Sequence, residues 1–235
     1  MSARQSLQDA IEQGILALGL HATDDLAPRL ERFIHSLVKW NKVYNLTSIR
    51  DPEAMVALHL LDSLAVAPFI ESITAPFPSG SSMQILDVGS GAGLPGIPLA
   101  MYYPQFDFVL LDSNGKKTRF LQQMRIELKL TNVTVVQSRV EDYAGQFKLI
   151  MCRAFANLSD ISQGLQHLLA DEGNLLAMKG KRGVDDSVPK KVDDAIQSAL
   201  KIAQVYALQV PGIDAERHLY VMRRPLNNHC DVLPS

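Results

Sequence analysis

The chain has 235 residues, 47% of them hydrophobic and 20% charged, with a formal charge of −2 at neutral pH. That length and mixture fit one large globular domain, or one with a smaller appendage, and exclude a largely disordered chain. The near-neutral balance also excludes binding to nucleic acid by bulk electrostatics alone.

No contiguous apolar run approaches the roughly 20 residues that cross a bilayer. Residues 1–8 are polar and lack the basic-then-apolar layout of a signal peptide. Cys152 and Cys230 have no paired spacing, so no disulfide framework is expected. A reducing, cytoplasmic setting with no membrane partner fits these three observations.

The first third reads as helical. Leu26, Leu30, Phe33, Ile34, Leu37, Val38 and Val43 recur at three- and four-residue spacing and predict one apolar stripe. Thr23, Asp24 or Asp25 is placed to cap that helix, with Pro28 tolerated in its first turn. Asp51-Pro52-Glu53 opens another helix carrying Met55, Leu58, Leu61 and Leu64. A Pro/Gly/Ser-rich stretch, residues 76–82, then reads as a linker. The division expected is a helical extension over 1–75 and a ligand-binding domain over 76–235, together one compact unit.

Beyond residue 82 strands and helices alternate. Strands are predicted at 84–88, 106–111, 133–137, 147–152, 174–178, 204–210 and 219–223. Helices are predicted at 93–102, 116–130, 158–169 and 188–203. This order predicts an α/β fold, a mostly parallel seven-stranded sheet with helices on both faces. Pro211-Gly212 leaves room only for a tight connection, so the last two strands should pair antiparallel. Ligands of such sheets bind beyond the carboxyl ends of the strands, where the strand order reverses.

The first strand end carries the chemistry: Asp87-Val88-Gly89-Ser90-Gly91-Ala92-Gly93-Leu94-Pro95-Gly96. Gly91, Gly93 and Gly96 spell the dinucleotide fingerprint G-x-G-x-x-G, which would suit an NAD-dependent oxidoreductase. Counting from Gly89, directly on the strand end, gives G-x-G-x-G instead. That register is typical of methyltransferases that use S-adenosylmethionine, whose lack of a pyrophosphate asks only for close backbone approach. Asp87 is then placed to meet the ligand's ammonium, directly or through water. Asp112, closing the second strand, is placed to accept from the ribose hydroxyls; its competing role is a helix cap. Arg139-Val140-Glu141-Asp142 after the third strand offers backbone groups and an acid to the adenine edge, or is simply a surface turn.

The acceptor should sit at the fourth strand end, Met151-Cys152-Arg153-Ala154-Phe155. The Asn/Asp-Pro-Pro-aromatic turn of adenine amino methylases is absent there. Cys152 invites comparison with the nucleophile of cytosine carbon-5 enzymes, but a small residue packed at a strand end is the better account. Arg153 is the stronger candidate, near the cofactor or a phosphate. Three basic clusters, Lys116/Lys117/Arg119/Arg125/Lys129, Lys179/Lys181/Arg182/Lys190/Lys191 and Arg217/Arg223/Arg224, read either as solvated faces or as surfaces for an anionic partner. The six histidines are scattered and no metal site is expected.

Several segments together resemble one family. Trp40-Asn41-Lys42-Val43-Tyr44-Asn45-Leu46-Thr47 and His59-Leu60-Leu61-Asp62-Ser63-Leu64 precede the linker. Leu86 to Pro98, Leu110-Leu111-Asp112-Ser113-Asn114-Gly115-Lys116-Lys117, Arg153-Ala154-Phe155-Ala156 and Lys179-Gly180 follow it. The chain is similar over about residues 30–223 to the ribosomal RNA small subunit methyltransferase G family, also called glucose-inhibited division protein B. That resemblance implies methyl transfer from S-adenosylmethionine to N7 of one guanosine in 16S rRNA, within the 30S subunit. It implies cofactor contacts from Gly89, Leu94, Val140, Glu141 and Arg153, alongside Asp87, Gly91, Gly93, Asp112 and Ser113.

Asn45, His59 and Asp62 match family positions on the acceptor side, although His59 equally suits a core histidine bonding Asp62. No general base is expected, because guanine N7 already holds a free lone pair. Lys116, Lys117, Arg119, Arg139, Lys179 and Arg217 are the candidates for RNA phosphate contacts. A catalytically idle RNA-binding or ribosome-assembly module on the same scaffold is the remaining alternative. Oligomeric state is not legible, and a monomer is the working expectation.

Overall fold

The computed structural model describes residues 6–74, 83–153, 157–180 and 200–225. The linker at 76–82, residues 154–156, the basic residues Lys181, Arg182, Lys190 and Lys191 and the tail from residue 226 lie outside them.

The first described element, α1 (Leu7–Ala17), has no counterpart in the periodicity reading. It opens with a capping box in which the Ser6 side chain accepts from Asp9 N–H and the Asp9 side chain accepts from Ser6 N–H. Helix α2 (Leu26–Tyr44) buries Leu26, Leu30, Phe33, Ile34 and Leu37 as expected. Val43 departs from that stripe and is 70% exposed. The N-terminus of α2 has no side-chain cap; Thr23 Oγ1 instead donates to Asp25 Oδ1 at 2.6 Å.

Asp51 does cap the next run, accepting from Ala54 N–H. That run is continuous in direction but changes winding: α3 (Pro52–Met55), a π-helical turn (Val56–Leu61), α4 (Asp62–Leu64) and α5 (Ala67–Thr74). Its 23 residues include a window of mean hydropathy 1.5, long and apolar enough by length and composition to cross a membrane. It is not a contiguous apolar run, because Glu53, His59 and Asp62 interrupt it. Since 67% of the window is buried within the protein, its apolar side chains are accounted for by the core.

Seven strands follow: β1 (Gln84–Val88), β2 (Asp107–Asp112), β3 (Val133–Gln137), β4 (Phe147–Arg153), β5 (Leu169–Lys179), β6 (Lys201–Ala207) and β7 (His218–Arg223). Their spatial order is β3-β2-β1-β4-β5-β7-β6. β1 to β5 run parallel, and β7 is antiparallel to both β5 and β6. The helix expected over 188–203 falls mostly outside the described residues, and Lys201 to Ala203 are strand.

Between the strands lie α6 (Gly96–Tyr102), α7 (Gly115–Glu127) and α8 (Leu158–Leu165). Alternation along the strands sends side chains to two cores. Ile85, Phe108, Leu110, Leu149 and Met151 join α1, α2, the Pro52–Thr74 run, α6 and α7 in the larger one. Leu86, Val109, Leu111, Ile150 and Cys152 join α8 in the smaller. The order reverses between β1 and β4, so a crevice forms at their carboxyl ends.

Candidate active site

β1 ends at Val88, which makes Gly89 the first residue of the turn. The register counted from Gly89 therefore describes this loop, and the dinucleotide register counted from Gly91 does not. Gly89 and Ser90 both donate their N–H groups to Leu111 O, at 2.8 and 3.1 Å. Gly91 turns with φ 55° and donates its N–H to Asp112 Oδ2 at 2.9 Å. Only glycine adopts that left-handed backbone without a Cβ penalty.

Asp112 Oδ1 accepts from Asn114 N–H at 2.8 Å, and Lys117 Nζ lies 3.8 Å from Oδ2. The helix-cap role considered for Asp112 belongs to Asn114, whose side chain accepts from Lys116 N–H at the start of α7. Asp112 thus ties the two strand ends together; Ser113 beside it is exposed.

Asp87 is completely buried, so it does not line an open surface. Its Oδ2 accepts from Gly96 N–H at 3.1 Å, and Oδ1 has no partner among the described residues. Burial pushes its carboxyl up to about 7. Gly96 serves this contact: a Cβ there would overlap Leu110 Cδ2 and lie 2.6 Å from Asp87 Oδ2. Gly96, the last glycine of the dinucleotide register, is therefore a packing requirement, and α6 begins at it rather than at Gly93.

Past β3, Val140 and Glu141 sit in a turn in which Tyr143 N–H donates to Val140 O, also contacted by His167 Nε2 at 3.2 Å. Arg139 and Glu141 are exposed there. Leu94 is buried in the larger core and Gly93 turns beside it with φ 81°.

The other half of the crevice is built from side chains far apart in sequence. Arg153, ending β4, donates through Nη1 to Asp62 Oδ2 at 3.0 Å and to Leu58 O at 3.3 Å. Arg217, just before β7, donates through Nε to Asp62 Oδ1 at 3.0 Å. Asp62 is thus held by two guanidiniums, and the phosphate role expected of Arg217 is at least shared with this pairing. Around the clamp lies a cavity of about 320 Å³ with apolar walls from Ile49, Leu58, Met178 and Leu208, and with Lys179 and His218 on its rim.

His59 lines the same cavity but does not bond Asp62. Its Nδ1 donates to Leu58 O at 2.9 Å, so Nε2 is left to accept from Thr47 Oγ1 at 2.9 Å. Burial, followed by the charge of Arg153, lowers its pKa to about 4, and the ring is neutral at pH 7. Thr47 was legible only as part of a motif; its role comes from Asn41, which accepts from Thr47 N–H and donates to Ile49 O across the end of α2. Asn45 is the exposed C-cap of α2, with φ 50°, outside the cavity lining. Cys152 is buried, and burial pushes its thiol up to about 12, which removes it as a nucleophile. Lys116 and Arg119 are exposed on α7, and Arg139 is exposed past β3.

Comparison with known proteins agrees with this architecture. A family model described as GidB, rRNA small subunit methyltransferase G, matches residues 27–220. A protein of Ectopseudomonas mendocina (strain ymp) named ribosomal RNA small subunit methyltransferase G is 43% identical over 226 residues, covering 95% of this chain and 99% of the relative. The protein of that name from Pseudomonas aeruginosa (strain LESB58) is 43% identical over 218 residues, covering 92% and 95%. Among solved structures, residues 961–1257 of StiE O-MT superpose with a TM-score of 0.52 at 11% identity, covering 79% of this chain and 81% of that one. The last likeness concerns the fold alone, which is Rossmann-like.

Proposed function

The chain belongs to the rRNA small subunit methyltransferase G family and is a methyltransferase; from that premise we propose that it moves a methyl group from S-adenosylmethionine to N7 of one guanosine in 16S rRNA of the small subunit. The observation that carries this reading is one of placement. A glycine loop bonded to Asp112 at the ends of β1 and β2 adjoins a cation-rimmed, apolar-walled cavity at the ends of β4 and β5. The first suits a donor with ribose hydroxyls and an ammonium, and the second a flat base attached to phosphate.

The residues present fit that donor. Asp87 keeps one buried carboxylate oxygen without a partner, an acceptor that an ammonium or its bound water would satisfy. Asp112 is held at the rim, and Gly89 and Gly91 carry no side chain to obstruct approach. When bound, S-adenosylmethionine supplies an electrophilic methyl carbon on a sulfonium.

The protein's own part is then orientation. Guanine N7 needs no deprotonation, and three groups near it are ill suited to act as a base: both His59 nitrogens are engaged, Asp62 is held by two arginines and Cys152 stays protonated. Leu58, Met178 and Ile49 provide faces against which a base is held in line, and such positioning supplies roughly 7–11 kcal/mol of barrier lowering. The methylated base becomes cationic. Asp62 offsets part of the charge of Arg153 and Arg217, so the product does not form beside two uncompensated cations.

The test is methyl transfer from labelled S-adenosylmethionine to 30S subunits lacking the modification, followed by mapping of the modified base. Label on a single guanine N7 is the expected result. Label on another atom or base overturns the acceptor assignment.

A further inference from the structure

The crevice explains one nucleotide, yet an aromatic column outside it has no part in that account. Phe33 and Phe120 are 6.2 Å apart between ring centroids, Phe120 and Trp40 5.7 Å, and Trp40 and Tyr44 5.3 Å at an interplanar angle of 28°. The first two rings are fully buried, whereas Trp40 and Tyr44 are half-buried. The column thus climbs from the core to the surface along the α2–α7 seam.

It emerges at the end of the molecule that holds the site. Arg29 contacts Leu128 O and Trp40 contacts Phe120, so α2 and α7 run antiparallel, and the C-terminus of α2 lies beside the N-terminus of α7. Tyr44 is the last residue of α2. Three residues on, Thr47 binds His59 in the cavity wall. On the α7 side, Lys117 reaches Asp112 under the glycine loop.

The surroundings are apolar and basic. Val43 is 70% exposed next to the outermost ring. Lys39 and Lys42 are exposed on the last turns of α2 but, one or two residues from the rings, face other sides of that helix, whereas Lys116 is exposed one turn before Phe120 at the α7 end of the seam. The nearby acid Asp112 is already paired with Lys117. A stacked aromatic face with an exposed lysine at the same end of the seam suits an unpaired nucleotide, base on ring and phosphate on lysine.

We propose that Tyr44, backed by Trp40, is a stacking platform for an unpaired RNA base flanking the methylated guanosine, with Lys116 at the end of the seam holding its phosphate. The proposal rests on the RNA-methylating reading of the site and adds a second point of grip. A single base in the crevice does not fix the direction of the strand, whereas a base in the crevice and another on the platform do.

The test uses the whole enzyme and a labelled single-stranded RNA of about eight nucleotides. Anisotropy reads affinity, and the emission of Trp40, the protein's single tryptophan, reads stacking. The expected result is quenching of Trp40 on RNA addition. Tyr44→Leu, which keeps apolar packing against Trp40, should weaken binding about 5- to 150-fold, the worth of one base–aromatic stack. Tyr44→Phe should restore it.

RNA that binds without moving Trp40 emission, and binds Tyr44→Leu equally well, overturns the platform while leaving the methyltransferase reading intact. Subunits methylated normally by an enzyme with no affinity for the oligonucleotide overturn it as well. Loss of both methylation and RNA binding in the wild type overturns the platform together with the reading it rests on.

Discussion

The two halves of the crevice are held together differently. At the ends of β1 and β2 the contacts are local and mostly backbone: Gly89 and Ser90 reach Leu111 O, and Gly91 reaches Asp112 across 21 residues. At the ends of β4 and β5 the frame is side chain to side chain. Asp62 binds Arg153 across 91 residues and Arg217 across 155. The first half is specified by backbone conformation and exists once two neighbouring strands pair. The second exists only when the helical run Pro52–Thr74 has docked on the sheet, so that half of the crevice forms only with tertiary assembly.

The sharpest way to break this contrast is at Asp62. Asp62→Ala leaves two partly buried guanidiniums without their counter-ion and should cost about 3–5 kcal/mol, read as a lower urea midpoint. A loss below about 1 kcal/mol would mean that the clamp adds little to docking.

Next in size is a pH effect on the other half. Asp87 is held at about 7 against an ordinary 3.8, so its neutral form is the one that folding favours. The stability it contributes is complete below about pH 4, falls as pH rises, and is gone above about pH 7. Asp87→Asn carries no charge to bury and should lose less stability over that window, by up to about 4 kcal/mol. Parallel pH profiles for the two proteins would show that the buried carboxyl titrates normally.

Smaller again is Gly96→Ala, which forces a methyl against Leu110 and the Asp87 carboxylate and should destabilise by about 1–3 kcal/mol. The smallest global effects separate neighbouring lysines by function. Lys116→Glu should raise the KM for subunits and reduce its salt dependence while donor affinity holds. Lys117→Glu should weaken donor affinity too, because it removes the cation beside Asp112. Identical behaviour of the two variants would erase that distinction.

The asymmetry also explains what was legible in the sequence. The turn at Gly89 and the strand order could be read because they depend on neighbours in the chain and on a two-residue alternation. Gly96 was read as part of a ligand motif, whereas its space is taken by Leu110 and Asp87, a packing fact that no spacing encodes. The resemblance named His59 and Asp62, but their partners are Thr47, Arg153 and Arg217, fixed only by how distant segments dock. Helix α1 escaped because its short apolar pattern is weak, and the Ser6–Asp9 capping box was its one clear signal. Exposed Val43 fitted the stripe by number alone; it lies where the aromatic column breaks the surface.

The most direct test of the division of labour is calorimetric titration of S-adenosylmethionine into Gly89→Val and Arg217→Ala side by side. Gly89→Val, strained at φ 69° and obstructing the loop, should lose donor binding while its circular dichroism stays near wild type. Arg217→Ala should bind the donor as the wild type does and lose affinity only for subunits. Unchanged donor affinity in Gly89→Val, or its loss in Arg217→Ala, would contradict the assignment of donor and acceptor to the two halves.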